Sequence, residues 1–155
     1  MVTKTKIKIN DNKRLREILD SEYEASSQIR MCKYALKLST HILKLVKYDE
    51  PENPVIKEGY LINEAWQRGE VRMHDVRQAG FKIHKLARES EDEVIQTALR
   101  VVGQSIATGH MKEHAMVASD YAIKVINLFY PNKIEKVTEE RLWQIKQLQS
   151  IPESQ

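Results

Sequence analysis

Cysteine is almost absent: Cys32 is the only one in 155 residues, so no disulfide can staple the chain from within. Glycine and proline are scarce too, five and four, which excludes collagen-like and low-complexity classes and leaves long stretches free to be helical. No stretch approaches the roughly 20 consecutive apolar residues needed to span a bilayer, and no secretory signal stands at the start. No membrane partner and cytoplasmic residence are expected. Neither sign of charge dominates, since 25 Lys and Arg against 22 Asp and Glu leave +3, and composition therefore makes nucleic acid an unexpected partner. The exception is local. Lys4, Lys6, Lys8, Lys13, Arg14 and Arg16 face only Asp11, an excess that could attract anions but is the usual make-up of a solvated tail.

Chemical signatures are missing as well. Gly80, Gly103 and Gly109 are isolated and form no phosphate loop. Ser39, Ser90, Ser105 and Ser119 each have a helical explanation, and no Ser-His-Asp arrangement stands out. No catalytic residues and no cofactor are expected.

What is present is helical periodicity. The 41% apolar fraction is enough for one folded core in a chain of this length. Residues 1–10 read as a flexible basic arm whose Thr5–Ile9 alternation lacks a partner strand, residues 11–151 as a single helical domain, and 152–155 as a frayed tail. A short helix should follow Asp11 as its cap, with Leu15, Ile18 and Leu19 on one side, and end near Asp20. The next carries an apolar stripe of Ile29, Cys32, Leu36, Ser39, Leu43 and Val46, with Lys33, Lys37, Lys44 and Lys47 opposite. A buried structural thiol is the natural reading of Cys32. Asp49-Glu50-Pro51-Glu52-Asn53-Pro54 reads as a surface connection.

Leu61, Ile62, Ala65 and Trp66 mark a third helix closed by Gly69, and Val76, Ala79, Gly80, Ile83, Leu86 and Ala87 a fourth with a small-residue inner face. Ser90 and Glu93 fit a capping box before a fifth helix that bends at Thr108-Gly109. The stretch from Met111 to Phe129 is apolar nearly all round and should lie centrally. Thr138 opens a last helix with Leu142, Ile145 and Leu148 inward. The expected architecture is an all-α, single-domain bundle or orthogonal array of six to seven helices.

One spacing suggests a metal. His110-Met111-Lys112-Glu113-His114 has the H-x-x-E-H pattern in which two histidines on one helix face share zinc and the glutamate activates water. A third ligand of that class is lacking in the 41 residues that follow His114. The alternative to a binding protein is therefore a helical-bundle metalloprotein, with hydrolysis as the chemistry open to it, using His110 and His114 with His41 or His84. Two histidines at this spacing are more often a hydrogen-bonding pair near a helix end. Asp120 either pairs with Lys124 along its own helix or joins Arg88 or Arg100 in a buried network. Trp66 and Trp143 suit either core or contact surface, and a homodimer could form through the small residues around Gly80 or Ala118.

Ala65-Trp66, Gly69-Glu70, Arg77, Ala79, His84, Ala87-Arg88, Arg100, Gly103-Gln104, Ile106-Ala107-Thr108, His110, His114-Ala115 and Tyr121-Ala122 carry a resemblance. With these residues the chain resembles a bacterial family described as putative immunity proteins, over about Ala35 to Leu128. Its most specific stretch is Gly103 to Ala122. The resemblance implies a helical protein that binds and neutralises a cognate protein toxin without catalysis. Trp66, Glu70, His84, Arg88, Arg100, Gln104, His110, His114 and Tyr121 are the matched polar and aromatic positions. It assigns no catalytic residue, and Glu89-Ser90-Glu91-Asp92-Glu93 and Asp49-Glu50-Pro51-Glu52 are acidic patches that could meet a basic toxin.

Overall fold

Helix α1, Lys13–Glu24, begins where the Asn12 side chain accepts the Leu15 N–H, taking the capping place expected of Asp11. Asp11 is diverted because its carboxylate receives a two-pronged bond from Arg141 at 2.9 and 2.7 Å. The computed structural model describes residues 2–48 and 53–153, and every regular element among them is an α-helix. After α1 come α2 (Gln28–Leu45), α3 (Pro54–Gln67), α4 (Met73–Arg88), α5 (Glu93–Ala107), α6 (His114–Phe129) and α7 (Ile134–Ser150). Seven helices in one domain meet the all-α expectation.

Most ends have a local chemical cause. Ser27 caps α2, Asn53 caps α3 with Pro54 in its first turn, and Asp92 caps α5. Several boundaries differ from expectation: α1 runs on to Glu24 past Asp20, and α7 starts at Ile134, a turn before Thr138. Pro54 starts a helix because a first-turn residue needs no N–H, and Asp92 displaces the Ser90 box by accepting the Ile95 N–H. Gly69 closes the α3 turn at φ +76°, a left-handed conformation that other residues resist.

Helix α5 divides the interior. Ala98 and Val101 face α2, α6 and α7, joining Leu19, Tyr34, Leu38 and Leu148 in the larger core. Leu99, Val102 and Ile106 face α3 and α4, where they meet Ile56, Val76 and Ile83. Each fully buried leucine or isoleucine contributes about 1.5–3 kcal/mol. Centrality is thus shared between α5 and the expected α6. The small residues do not face outward: Gly80 lies against Ala107 and the Gly103 carbonyl, and Ala118 is fully buried. The dimer surfaces suggested around them are interior packing.

Several stripes are rotated from the sequence reading. Helix α2 buries Met31, Tyr34, Ala35, Leu38 and Ile42 beside Cys32 and Ser39, while Ile29, Leu36, Leu43 and Val46 are only partly covered. Leu61 and Leu142 are exposed, because α3 and α7 turn Asn63, Arg141 and Gln144 inward instead. Cys32 is fully buried and its thiol is pushed up to about 12 by burial, as suits a structural residue.

A buried ionic network pins the N-terminal helix. Arg16 grips Asp120 with two bonds of 2.9 and 3.1 Å, and Arg141 reaches the same acid at 2.8 Å while holding Asp11. Asp120 therefore belongs to a network, but with Arg16 and Arg141 in place of Lys124, Arg88 or Arg100. Arg16 is withdrawn from the basic terminal surface. The segment read as an arm runs along the domain without a strand partner: Thr3 bonds Asp20, Asn10 exchanges two bonds with Asn127 at 2.9 and 3.1 Å, and Ile9 packs beside Ile123 and Val137.

Candidate functional site

Four side chains from α4, α5 and α6 meet over one face of α5. Arg100 and Gln104 are one helical turn apart and so share that face. Arg100 donates from Nη1 to His84 Nδ1 at 3.0 Å, which leaves the imidazole hydrogen of His84 on Nε2. Among the described residues no acceptor takes that N–H. Gln104 Oε1 lies 2.7 Å from His114 Nδ1, and because a carbonyl oxygen only accepts, His114 carries its hydrogen on Nδ1. All four side chains are partly buried, and Arg88, one turn beyond His84, is exposed.

Gly103 makes the arrangement possible. A Cβ there would stand 2.6 Å from His84 Cε1 and 2.9 Å from both ring nitrogens, so the imidazole rests directly on the backbone of α5. Gly109 serves the following turn in the same way, with Val76 and the Trp66 ring packed against it. Trp66 is thereby placed on the edge of the second core.

The electrostatics are one-sided. Burial lowers the pKa of His84 to about 4, and Arg100, His114 and Arg88 add to the fall in that order. Burial also lowers His114, followed by His110 and Lys6, with Glu113 opposing. Glu113 is itself held by Lys6 at 3.4 Å. Among the described residues no carboxylate pairs with Arg88 or Arg100. Both histidines are neutral at pH 7 in surroundings that remain positive.

The H-x-x-E-H segment takes a different shape from the one its spacing suggested. Residues 110–113 form turns, and α6 begins only at His114, because the chain must bend after α5 before it can pack back. The His110 and His114 rings stack with centroids 5.5 Å apart and planes 29° from parallel. His41 is remote from them: it stacks on Trp143 at 3.7 Å between centroids and bonds the buried Glu140 at 2.8 Å. Among the described residues, no three His, Cys, Asp or Glu side chains form a group that could hold a metal.

Of the nine matched positions, His84, Arg88, Arg100, Gln104, His110 and His114 cluster on this face of α5. Glu70 pairs with Arg68 at 2.9 Å just beyond α3, and Tyr121 packs at the rim of the larger core. Trp143 lines a separate cavity of about 540 Å³ with Leu36, Lys37, His41, Tyr60 and Glu64. The acidic connection Glu89 to Glu93 is largely exposed at the end of α4, whereas Asp49 to Glu52 lie outside the described residues. An isolated glycine inside a helix signals close packing, which Gly103 provides, but its partner His84 had no sequence signal. The contacts of Arg16 and Arg141 had none.

No helix among the described residues is long and apolar enough to cross a membrane. A family model described as "Imm-5 like putative immunity protein" matches residues 21–151, a longer span than the motif residues cover. Among curated proteins and solved structures nothing matches the chain.

Proposed function

We infer that this chain, which belongs to the Imm-5 like immunity protein family, is a non-catalytic binding protein that neutralises a cognate bacterial toxin in the cytoplasm. The family match over residues 21–151 carries the reading. The chemistry of the cluster agrees with it: His84 is engaged by Arg100 and His114 by Gln104, and among the described residues no serine, threonine or cysteine is paired with either ring as a nucleophile. A helical scaffold with two cores presents a preformed surface, which lowers the ordering cost of association.

The test is rescue. Cells producing a toxin encoded beside this protein survive when it is co-expressed, and the two proteins co-purify as a stoichiometric complex. Failure to bind or rescue against every adjacent toxin candidate removes the reading. Elemental analysis of untagged protein separates the alternative: one metal per chain would favour a metalloprotein that uses His110 and His114.

A further inference from the structure

We propose that a trough laid across the outer face of α2 and walled by α3 and α7 docks an acidic segment of a partner protein, with one aromatic side chain of that segment seated in it. The proposal rests on the binding-protein reading and says where the partner sits. Helices α3 and α7 each touch α2 but pack little on one another, which leaves α2 open between them. The resulting cavity of about 540 Å³ has Leu36 and Lys37 of α2 as its floor, Tyr60 and Glu64 of α3 on one side and Trp143 of α7 on the other. Both cores reach the surface there: Leu36 and Tyr60 pack on the second core, and Trp143 packs on the larger one.

The aromatic walls are fixed before any partner arrives. Tyr60 Oη lies 2.6 Å from Ser39 Oγ, so the hydroxyl is satisfied and the ring is held beside α2. The Trp143 ring stacks on His41 at 3.7 Å with the planes 9° apart, and His41 is held in turn by its 2.8 Å bond to the buried Glu140. Rigid aromatic surfaces lose little freedom on association and are the residue types that anchor interfaces, and an incoming ring can stack offset or edge-on against them. Charge selects what surrounds that ring. Lys33, Lys37 and Lys44 fall on one exposed stripe of α2, with Lys33 one turn before Lys37 and Lys44 two turns after it, and Glu64 is the one acid lining the trough. Carboxylates flanking the anchor meet this stripe, and the attraction between them speeds encounter. Glu64 calls for a hydrogen-bond donor beside those acids, which a peptide supplies and a phosphate backbone does not. A second copy of the chain set trough to trough would bring the lysines together.

The test follows the two indole N–H signals by NMR at constant ionic strength while a peptide of three glutamates on either side of one phenylalanine is added. Trp143 and the His41 ring shift saturably, while Trp66, on the edge of the second core, stays still. Exchanging the peptide's glutamates for lysines, or its phenylalanine for serine, weakens binding by about tenfold, and Lys37→Glu, at an exposed position that folding does not depend on, weakens it by about fivefold. The proposal is overturned if the acidic peptide shifts Trp143 no more than Trp66, if the lysine peptide acts equally, or if Lys37→Glu binds as well as the parent. Tighter binding of an oligothymidylate of the same charge also overturns it, by making the trough a nucleic-acid site. Rescue by the Lys33→Glu, Lys37→Glu double variant separates this proposal from the toxin reading. If parent and variant rescue cells equally, the trough is overturned and the toxin reading stands. If the parent rescues no cell while the acidic peptide binds as described, the toxin reading falls and the trough remains a docking site.

Discussion

Helix α6 contributes to two charged clusters of opposite character. Around Asp120, cations and anions are matched: Arg16 and Arg141 are divided among Asp11, Asp20 and Asp120, all nearly or fully withdrawn from water. Around His114, six residues earlier, Arg88 and Arg100 pair with no acid among the described residues, and Glu113 is shared with Lys6. The first cluster is complete without a ligand and holds α1, α6 and α7 in register. The second is half open, and its positive charge is maintained by the fold without internal compensation. Matched charge in this molecule is scaffold; the second cluster carries charge that the described residues do not balance.

Removing an acid from the matched cluster should cost most. Asp120→Ala strands two buried guanidinium groups, a loss of about 3–5 kcal/mol, which for a domain of this size lowers the melting temperature by roughly 10 °C or more. Urea unfolding measures it directly, and a loss below about 1 kcal/mol would erase the distinction between the clusters.

The open cluster should reveal itself through pH. The native pKa of His84 is about 4 against 6.5 for the ordinary imidazole, so the unfolded chain binds the extra proton more readily. Its contribution to stability is complete above pH 6.5, declines as pH falls from 6.5 towards 4, and changes no further below that. Partial exposure limits the effect to about 2 kcal/mol. Chemical denaturation at pH 7.5, 6 and 5 should give a slope that flattens in His84→Gln, and an unchanged slope would show that His84 is not held neutral.

Gly103→Ala separates position from stability. The added methyl displaces the His84 ring, but alanine gains about 1 kcal/mol of helix propensity, so net stability stays within about 1 kcal/mol. The same change frees His84 from Arg100 and from burial, and its pKa, followed by NMR, rises towards 6.5. A native-like pKa in that variant would mean that the close approach to α5 is not what depresses it. Arg88→Gln, at an exposed position without a carboxylate partner, should shift stability by no more than about 0.5 kcal/mol. A larger loss would place Arg88 in the scaffold class.

Much of the fold was legible because the signals are local. The α4 stripe of Val76, Ala79, Gly80, Ile83 and Ala87 is buried as periodicity indicates, and Gly69 closes α3 as expected. What was illegible depends on long-range pairing. Arg141 lies in a sequence that reads as a polar helix face, and only the arrival of Asp11, 130 residues away, together with Asp120 on α6, makes burying it tolerable. The same holds for Leu142, exposed because its neighbour turns inward. At the candidate site the residue types were visible as a family pattern. Their pairing as Arg100 with His84 and Gln104 with His114 depends on how α4 and α6 flank α5, which no spacing encodes.

The clasp between Asp11 and Arg141 also orders events in time. During synthesis α1 leaves the ribosome early, but the arginine that anchors it at Asp11 appears only with the last helix. Until then α1 has only its Arg16 bonds to Asp120 on α6, and the side that packs on α7 stays uncovered. Such a segment is attractive to chaperones and proteases until α7 arrives. Quality control would therefore sense a copy lacking α7 through α1, which then remains only partly docked.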